Sequence, residues 1–159
     1  MAAKIITIHS LIGTMDAVIL HYSELDRDTL YDILRLRMSV FVVEQYCVYM
    51  DIDGRDRDAY HLICREDGEI KGYLRILKPG AFFEEASIGR VIAVERRKGT
   101  ASKMVSSAMD FIRDVLHESR IRIESQVYAM GLYEKLGFVK DGEEFLEDGI
   151  SHIQMVYGC

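Results

Sequence analysis

The sequence is poor in the features that would mark a linker, a metal site, a nucleic-acid surface or a membrane span. Pro79 is its single proline, and no Ser- or Gly-rich run occurs, which argues against a disordered linker. Cys47, Cys64 and Cys159 are widely spaced, with no CxxC or Cys/His ligand pattern. No metal is therefore expected, and the thiols read as reduced and unpaired, as in a cytoplasmic protein. Positive charge is in deficit, with a net charge of −6, which excludes general nucleic-acid binding. No apolar run approaches the roughly 18 residues that cross a membrane. The N-terminal "MAAKIITIHSLIGTMDAVIL" is interrupted by His9, Ser10 and Gly13 and shows no clear cleavage site. Met15 offers a second start, so residues 1–14 are treated as an extension.

What is present suits one globular domain over 1–159. The chain is long enough for a core and short for two domains. "AVILHY" reads as a strand. Leu30, Ile33, Leu34, Leu36 and Val40 recur at helical spacing, giving a helix over about 27–40 that runs into "VFVV". "YHLICRE" and "IKGYLRILK" are strand-like runs joined by Asp67-Gly68, a hairpin signal. "ASIGRVIAV" is a strand, "GTASKMVSSAMDFIRDVLHE" an amphipathic helix, and "RIRIESQVY" an alternating strand. "AMGLYEKLG" is a short helix, and the C-terminal segment fits a hairpin with its tip near Asp148-Gly149. The order predicts a mixed α/β sheet, mostly antiparallel, with a parallel pair where strand, helix and strand follow one another over 86–127.

The chemistry concentrates in "IGRVIAVERRKGTASKMV". An apolar strand ends in a basic, glycine-containing turn and opens a helix, which is a place to hold an anion on helix N–H groups. The turn matches neither GxxxxGK[ST] nor GxGxxG. It does match [R/Q]-x-x-G-x-[G/A], from Arg96 to Ala101, a pattern that is weak alone. Glu44, in the apolar "VVEQ", is a candidate general base because such a setting raises a carboxyl pKa; pairing with a nearby arginine is the structural alternative. Tyr49, Asp51 and Asp53, in a polar loop, can line a pocket for a cationic amine.

A second segment, "SQVYAMGLYEKLGF", carries Gln126, Ala129, Tyr133, Gly137 and Phe138 at the spacing N-x-x-A-x-x-x-Y-x-x-x-G-F, with Gln in place of Asn. Together the two segments resemble the GNAT superfamily of acetyl-CoA-dependent N-acetyltransferases. "LRMSVFVVEQ", "DIDGRDRDAYHL", "IGRV" and "EDGISHIQM" extend the resemblance to its ElaA-like branch, from about residue 20 to the end.

The resemblance implies a GNAT fold with a splayed parallel strand pair flanked by helices, and acetyl transfer from acetyl-CoA to a primary amine by direct attack. It implies that Arg96, Arg97, Lys98, Gly99, Thr100, Ala101, Ser102 and Lys103 cradle the pyrophosphate. The motif can start at Arg96 or at Lys98. Ile92, Ala93 and Val94 would pair with the pantetheine arm, N–H groups near Val94 would meet the thioester carbonyl, and Gln126 would complete the cofactor site. Tyr133 would protonate the leaving thiolate. His61 and His152 fall in branch-like segments and join Tyr49 and Asp53 as acceptor-site candidates. The acceptor is a small-molecule or peptide amine, and the edge of the terminal hairpin allows a homodimer. The alternatives are a non-catalytic acyl-CoA-binding module and an acyl-CoA-dependent signal synthase on the same scaffold.

Overall fold

Asp26 accepts a hydrogen bond from the Thr29 N–H at 2.7 Å and so starts helix α1 (Arg27–Arg37); a short acceptor side chain satisfies an otherwise orphaned helix N–H. The computed structural model describes residues 6–8 and 15–158; Cys159 and most of the expected extension lie outside them. The helix expected over 27–40 keeps α geometry only to Arg37. Met38–Glu44 continue in wider π turns, and Tyr46, at φ 52°, ends the run. Val40, Val42 and Val43 crowd the turn before them, as β-branched residues do in a helix.

Strands β1 (Ile6–Ile8), β2 (Asp16–His21), β3 (Tyr60–Glu66), β4 (Glu69–Leu77) and β5 (Ser87–Ala93) form an antiparallel sheet in chain order. After β5 come α2 (Thr100–Asp114), β6 (Ile121–Gln126), α3 (Met130–Lys135), β7 (Val139–Lys140), β8 (Phe145–Glu147) and β9 (Ile150–Tyr157). In a second sheet β9 pairs with β6, β7 and β8. Both expected hairpin tips are present: Asp67-Gly68 and Asp148-Gly149 each take φ near 50° and 79°, the pair of positive values a two-residue tip requires.

The expected splayed parallel pair is present. β5 and β6 meet at one parallel bridge, Ala86 to Ile121, with the Arg122 N–H donating to the Ala86 carbonyl at 3.0 Å. Beyond it the two strands part and the sheet divides. The cause lies in β5. Tyr73 pairs with Ile92 and Arg75 with Gly89, so Arg90 and Val91 together oppose Leu74. Arg90 takes φ 54°. Such a bulge bends its strand and sharpens the twist, which carries β5 away from β6.

The first sheet is covered on both faces, so β3 and β4 read as continuous apolar runs. Leu62, Cys64, Leu74 and Ile76 pack with Met104, Val105, Ala108 and Ile112 of α2. The helix comes so close over Gly72 that a Cβ there would meet the Met104 sulfur at 2.7 Å. Ile63, Tyr73 and Ile92 pack with Ile33 of α1 on the other face. Cys64 is free and buried, and burial pushes its thiol up to about 11.

Beneath this second face lies a charged core. Arg37 is completely buried. Its Nε lies 2.9 Å from Asp51 Oδ2, its Nη1 2.5 Å from Asp56 Oδ1, and its Nη2 donates to the Asp51 carbonyl at 3.0 Å. Arg75 binds Asp53 through two contacts of 2.8 Å and Asp56 at 3.0 Å. Arg90, turned inward by the bulge, places Nε 2.7 Å from Asp51 Oδ1. Three arginines thus face three aspartates, tying α1, β4 and β5 to the loop over 45–58. Arg37→Ala would leave two buried carboxylates short of a partner and should cost about 3–5 kcal/mol, read from urea unfolding. Burial alone would raise the Asp53 and Asp56 carboxyls, but hydrogen bonds from Arg75 and Arg37 outweigh it and hold both below the usual 3.8. Their contribution to stability is therefore full above the unfolded value and lost as pH falls through the depressed folded values. An acid series of urea midpoints should decline below about pH 4, and less steeply in Asp53→Asn.

Candidate active site

Where β5 and β6 part, a cleft of about 830 Å³ opens. Its walls are the β5 segment from Ser87 to Ala93, the turn after it, the first turn of α2, Glu124 to Gln126 of β6, α3, the π turns and the tip between β8 and β9.

One end is built for an anion. Gly99 caps α2 with φ 76° and offers no side-chain acceptor to the helix. The N–H groups of Thr100, Ala101 and Ser102 have no intrahelical partner, while that of Lys103 bonds Gly99. Thr100, Ala101 and Ser102 all line the cleft. Thr100 is 2% exposed, and its Oγ1 has no hydrogen-bond partner. A Cβ added at Gly99 would meet nothing within 4 Å, so the space beside the helix start is open. Arg96 and Arg97 also line the cleft, but Lys98 and Lys103 do not. Lys98 instead pairs with Glu95 at 2.6 Å on the surface. This geometry suits the motif counted from Arg96, with Gly99 as cap and Ala101 in the first turn.

Tyr133, on α3, lines the same cleft and is 8% exposed. Its ring packs edge-on against Phe138, with centroids 5.7 Å apart. Burial, aided by the neighbouring Tyr128, pushes its phenol well above the ordinary tyrosine value. Among the described residues nothing hydrogen-bonds its hydroxyl. A neutral phenol with its proton uncommitted is the state a proton donor requires. Gln126 lines the cleft and donates to Gln45 Oε1 at 3.3 Å, spanning the gap from β6 to the end of the π turns.

Four expectations change. Glu44 lines the cleft, but it is half exposed and forms an ion pair with Arg96, so the apolar surroundings expected of it are absent. The Val94 N–H donates to the Lys71 carbonyl at 3.0 Å and is not free for a thioester. His61 is completely buried beside the charged core, with Nδ1 2.7 Å from the Tyr73 hydroxyl and Nε2 3.0 Å from the Asp56 carbonyl. Burial holds its imidazole below its usual value, and it does not reach the acceptor space. Asp51 is likewise core rather than pocket. Tyr49, Asp53 and His152 do line the cleft; the Tyr49 hydroxyl donates to Asp51 at 2.9 Å and Asp53 is held by Arg75.

The family model of the acetyltransferase (GNAT) domain matches residues 33–159. The chain belongs to the GNAT family. The ElaA protein of Escherichia coli K12 is 37% identical over 140 residues, which are 86% of this chain and 92% of that protein. The crystal structure of Escherichia coli ElaA superposes with a TM-score of 0.84 at 35% identity, over 90% of this chain and 99% of that one. An acyl-CoA N-acyltransferase from Pseudomonas aeruginosa gives 0.84 at 33%, over 89% and 99%. The chain is thus an acyltransferase of GNAT type, similar to ElaA in sequence and fold.

GNAT domains bind acyl-CoA, and the cleft fits that group. The uncapped start of α2 and the open space at Gly99 suit a diphosphate, and the unpartnered Thr100 hydroxyl is a donor with nothing else to bind. No group of His, Cys, Asp and Glu among the described residues could hold a metal ion, and no described helix is long and apolar enough to cross a membrane.

The sequence reading missed Glu124, half-buried on the cleft wall. Burial first, and the charge of Glu147 second, push its carboxyl up. Its signal was the alternation of "RIRIESQ", which places Glu124 on the same face as Gln126. Because the Thr100 hydroxyl is buried without a partner, Thr100→Val should stabilise the free protein by about 1 kcal/mol in urea unfolding.

Proposed function

We propose that this chain transfers the acetyl group of acetyl-CoA to a primary amine by direct attack, and does so in the cytoplasm. The observation that carries this reading is the convergence, in one cleft, of an uncapped helix start with a buried unpartnered hydroxyl and a buried neutral tyrosine. The diphosphate would lie on the N–H groups of Thr100, Ala101 and Ser102, with Arg96 and Arg97 adding charge. Ile92 and Ala93 on the splayed edge of β5 would align the pantetheine arm, and Gln126 would close the cleft across from it.

The acetyl thioester supplies the electrophilic carbon. The amine nitrogen, once neutral, forms the C–N bond to it, and the C–S electron pair leaves on sulfur. Tyr133 gives its phenolic proton to that sulfur and regains one from the nitrogen, which still carries an extra N–H. Glu44 keeps Arg96 at the cleft rim through their ion pair. Tyr49 and Asp53 form part of the acceptor wall.

Calorimetry with acetyl-CoA, against ATP at the same salt, tests the reading. Selective binding supports it; absent or equal binding overturns it. Thr100→Val should weaken acetyl-CoA binding about tenfold, the typical effect of one lost hydrogen bond. Tyr133→Phe should lower turnover about 10²-fold with acetyl-CoA affinity unchanged, as followed by thiol release across an amine panel.

A further inference from the structure

Resting on that acyl-transfer reading, we propose that His152 is the general base for the acceptor amine. Glu124 and Glu147 flank it and hold the incoming ammonium against its Nε2.

The register of the second sheet places these groups together. Gln126 pairs with His152 and Glu124 with Gln154, so His152 stands on the same face of the sheet as Glu124 and Gln126. All three line the cleft. His152 Nδ1 lies 2.7 Å from the Ile150 carbonyl oxygen. A carbonyl only accepts, so Nδ1 carries the hydrogen and the neutral ring keeps its lone pair on Nε2. Phe145 stacks on the ring at 5.9 Å and 24°, fixing its plane. The side chain is 12% exposed, and Glu147 Oε2 lies 3.9 Å from Nε2. That is too long for a hydrogen bond, yet close enough to stabilise a positive charge arriving on the ring.

The charged groups that face the imidazole are Glu147 from β8 and Glu124 from β6. Both are acidic and lie within hydrogen-bonding reach of each other, and a cation arriving beside them relieves the repulsion that opposes ionising both. Gln154 donates to Glu124 at 3.4 Å, which orients the carboxylate. There is room for an amine as well. Counted from the Ala86–Ile121 bridge, Gly89 of β5 is level with Glu124, and a Cβ there would meet nothing within 4 Å. The step is a proton transfer. An N–H bond of the acceptor ammonium breaks, its proton joins the Nε2 lone pair, and the nitrogen keeps the electron pair it needs for attack. The imidazolium later releases that proton to water.

The test uses the full chain. Nitrogen-15 NMR of the wild-type imidazoles should show one histidine signal, absent in His152→Gln, in the Nδ1–H form when neutral; the Nε2–H form overturns the proposal. With acetyl-CoA and 2-phenylethylamine as the probe acceptor, His152→Gln should lose about 10²-fold in kcat/KM near neutral pH. The loss should shrink as pH rises and the amine deprotonates in solution, and acetyl-CoA affinity should not change. Glu124→Gln should raise KM for the amine several-fold with little change in kcat. A His152→Gln enzyme with wild-type rate and pH profile overturns the base role alone. A wild-type chain that fails to bind acetyl-CoA overturns the acyl-transfer reading, and the base role with it.

Discussion

The burial of Arg37 is the constraint on which the rest depends. A guanidinium with no exposure is tolerable only if every charge near it is matched, and here Asp51 and Asp56 do so through charge-assisted contacts. Those aspartates belong to a loop with little apolar anchorage: Tyr46, Val48 and Met50 are exposed. The loop is therefore fixed by ion pairs rather than by a core of its own. The requirement propagates to Arg75 on β4 and Arg90 on β5, since Asp53 and the second oxygen of Asp51 need partners too. Arg90 reaches Asp51 from a backbone position that non-glycine residues seldom adopt, so the bulge and the charged core reinforce each other.

The bulge in turn produces the cleft. A sheet that kept β5 against β6 would bury the backbone edges of both strands and leave no space between them. Because the pairing stops after one bridge, the end of β5, the start of α2 and the inward face of β6 all border one opening. Different elements then supply different chemistry. The start of α2 supplies N–H donors for an anion, α3 supplies a phenol kept neutral by burial, and the second sheet supplies carboxylates and an imidazole. The electrostatics are polarised accordingly, with donors at the helix end and acceptors near the hairpin tip.

Much of this was legible in the chain. Asp67-Gly68 and Asp148-Gly149 specify their turns through residues that tolerate positive φ, and the stripe from Met104 to Ile112 specifies a helix that buries one face. The turn around Gly99 and the segment around Tyr133 could be read as local motifs because their chemistry depends on a few neighbouring residues. The splay between β5 and β6 was implied by the family resemblance, but its cause could not be read that way. The cause is one extra residue in β5, and nothing in "IGRVIAV" marks a bulge, since Arg90 is not a glycine. The end of α1 at Arg37 was hidden for a related reason: apolar residues at helical spacing do not distinguish α turns from π turns.

Glu44 and His61 show where local reading fails. Glu44 sits among valines in sequence, but it is half exposed and its carboxylate meets Arg96, 52 residues away. His61 lies on a strand with two buried faces, and only the packing decides that its face looks onto Arg37 and not onto the cleft. The amino-acid sequence by itself determined the elements, the glycine-containing turn that opens α2 and the place of the tyrosine, because these are set by short-range sterics, hydrogen-bonding capacity and hydrophobic period. Only the tertiary structure decided which charges became core and which became site, because burial and pairing depend on residues brought together from distant parts of the chain.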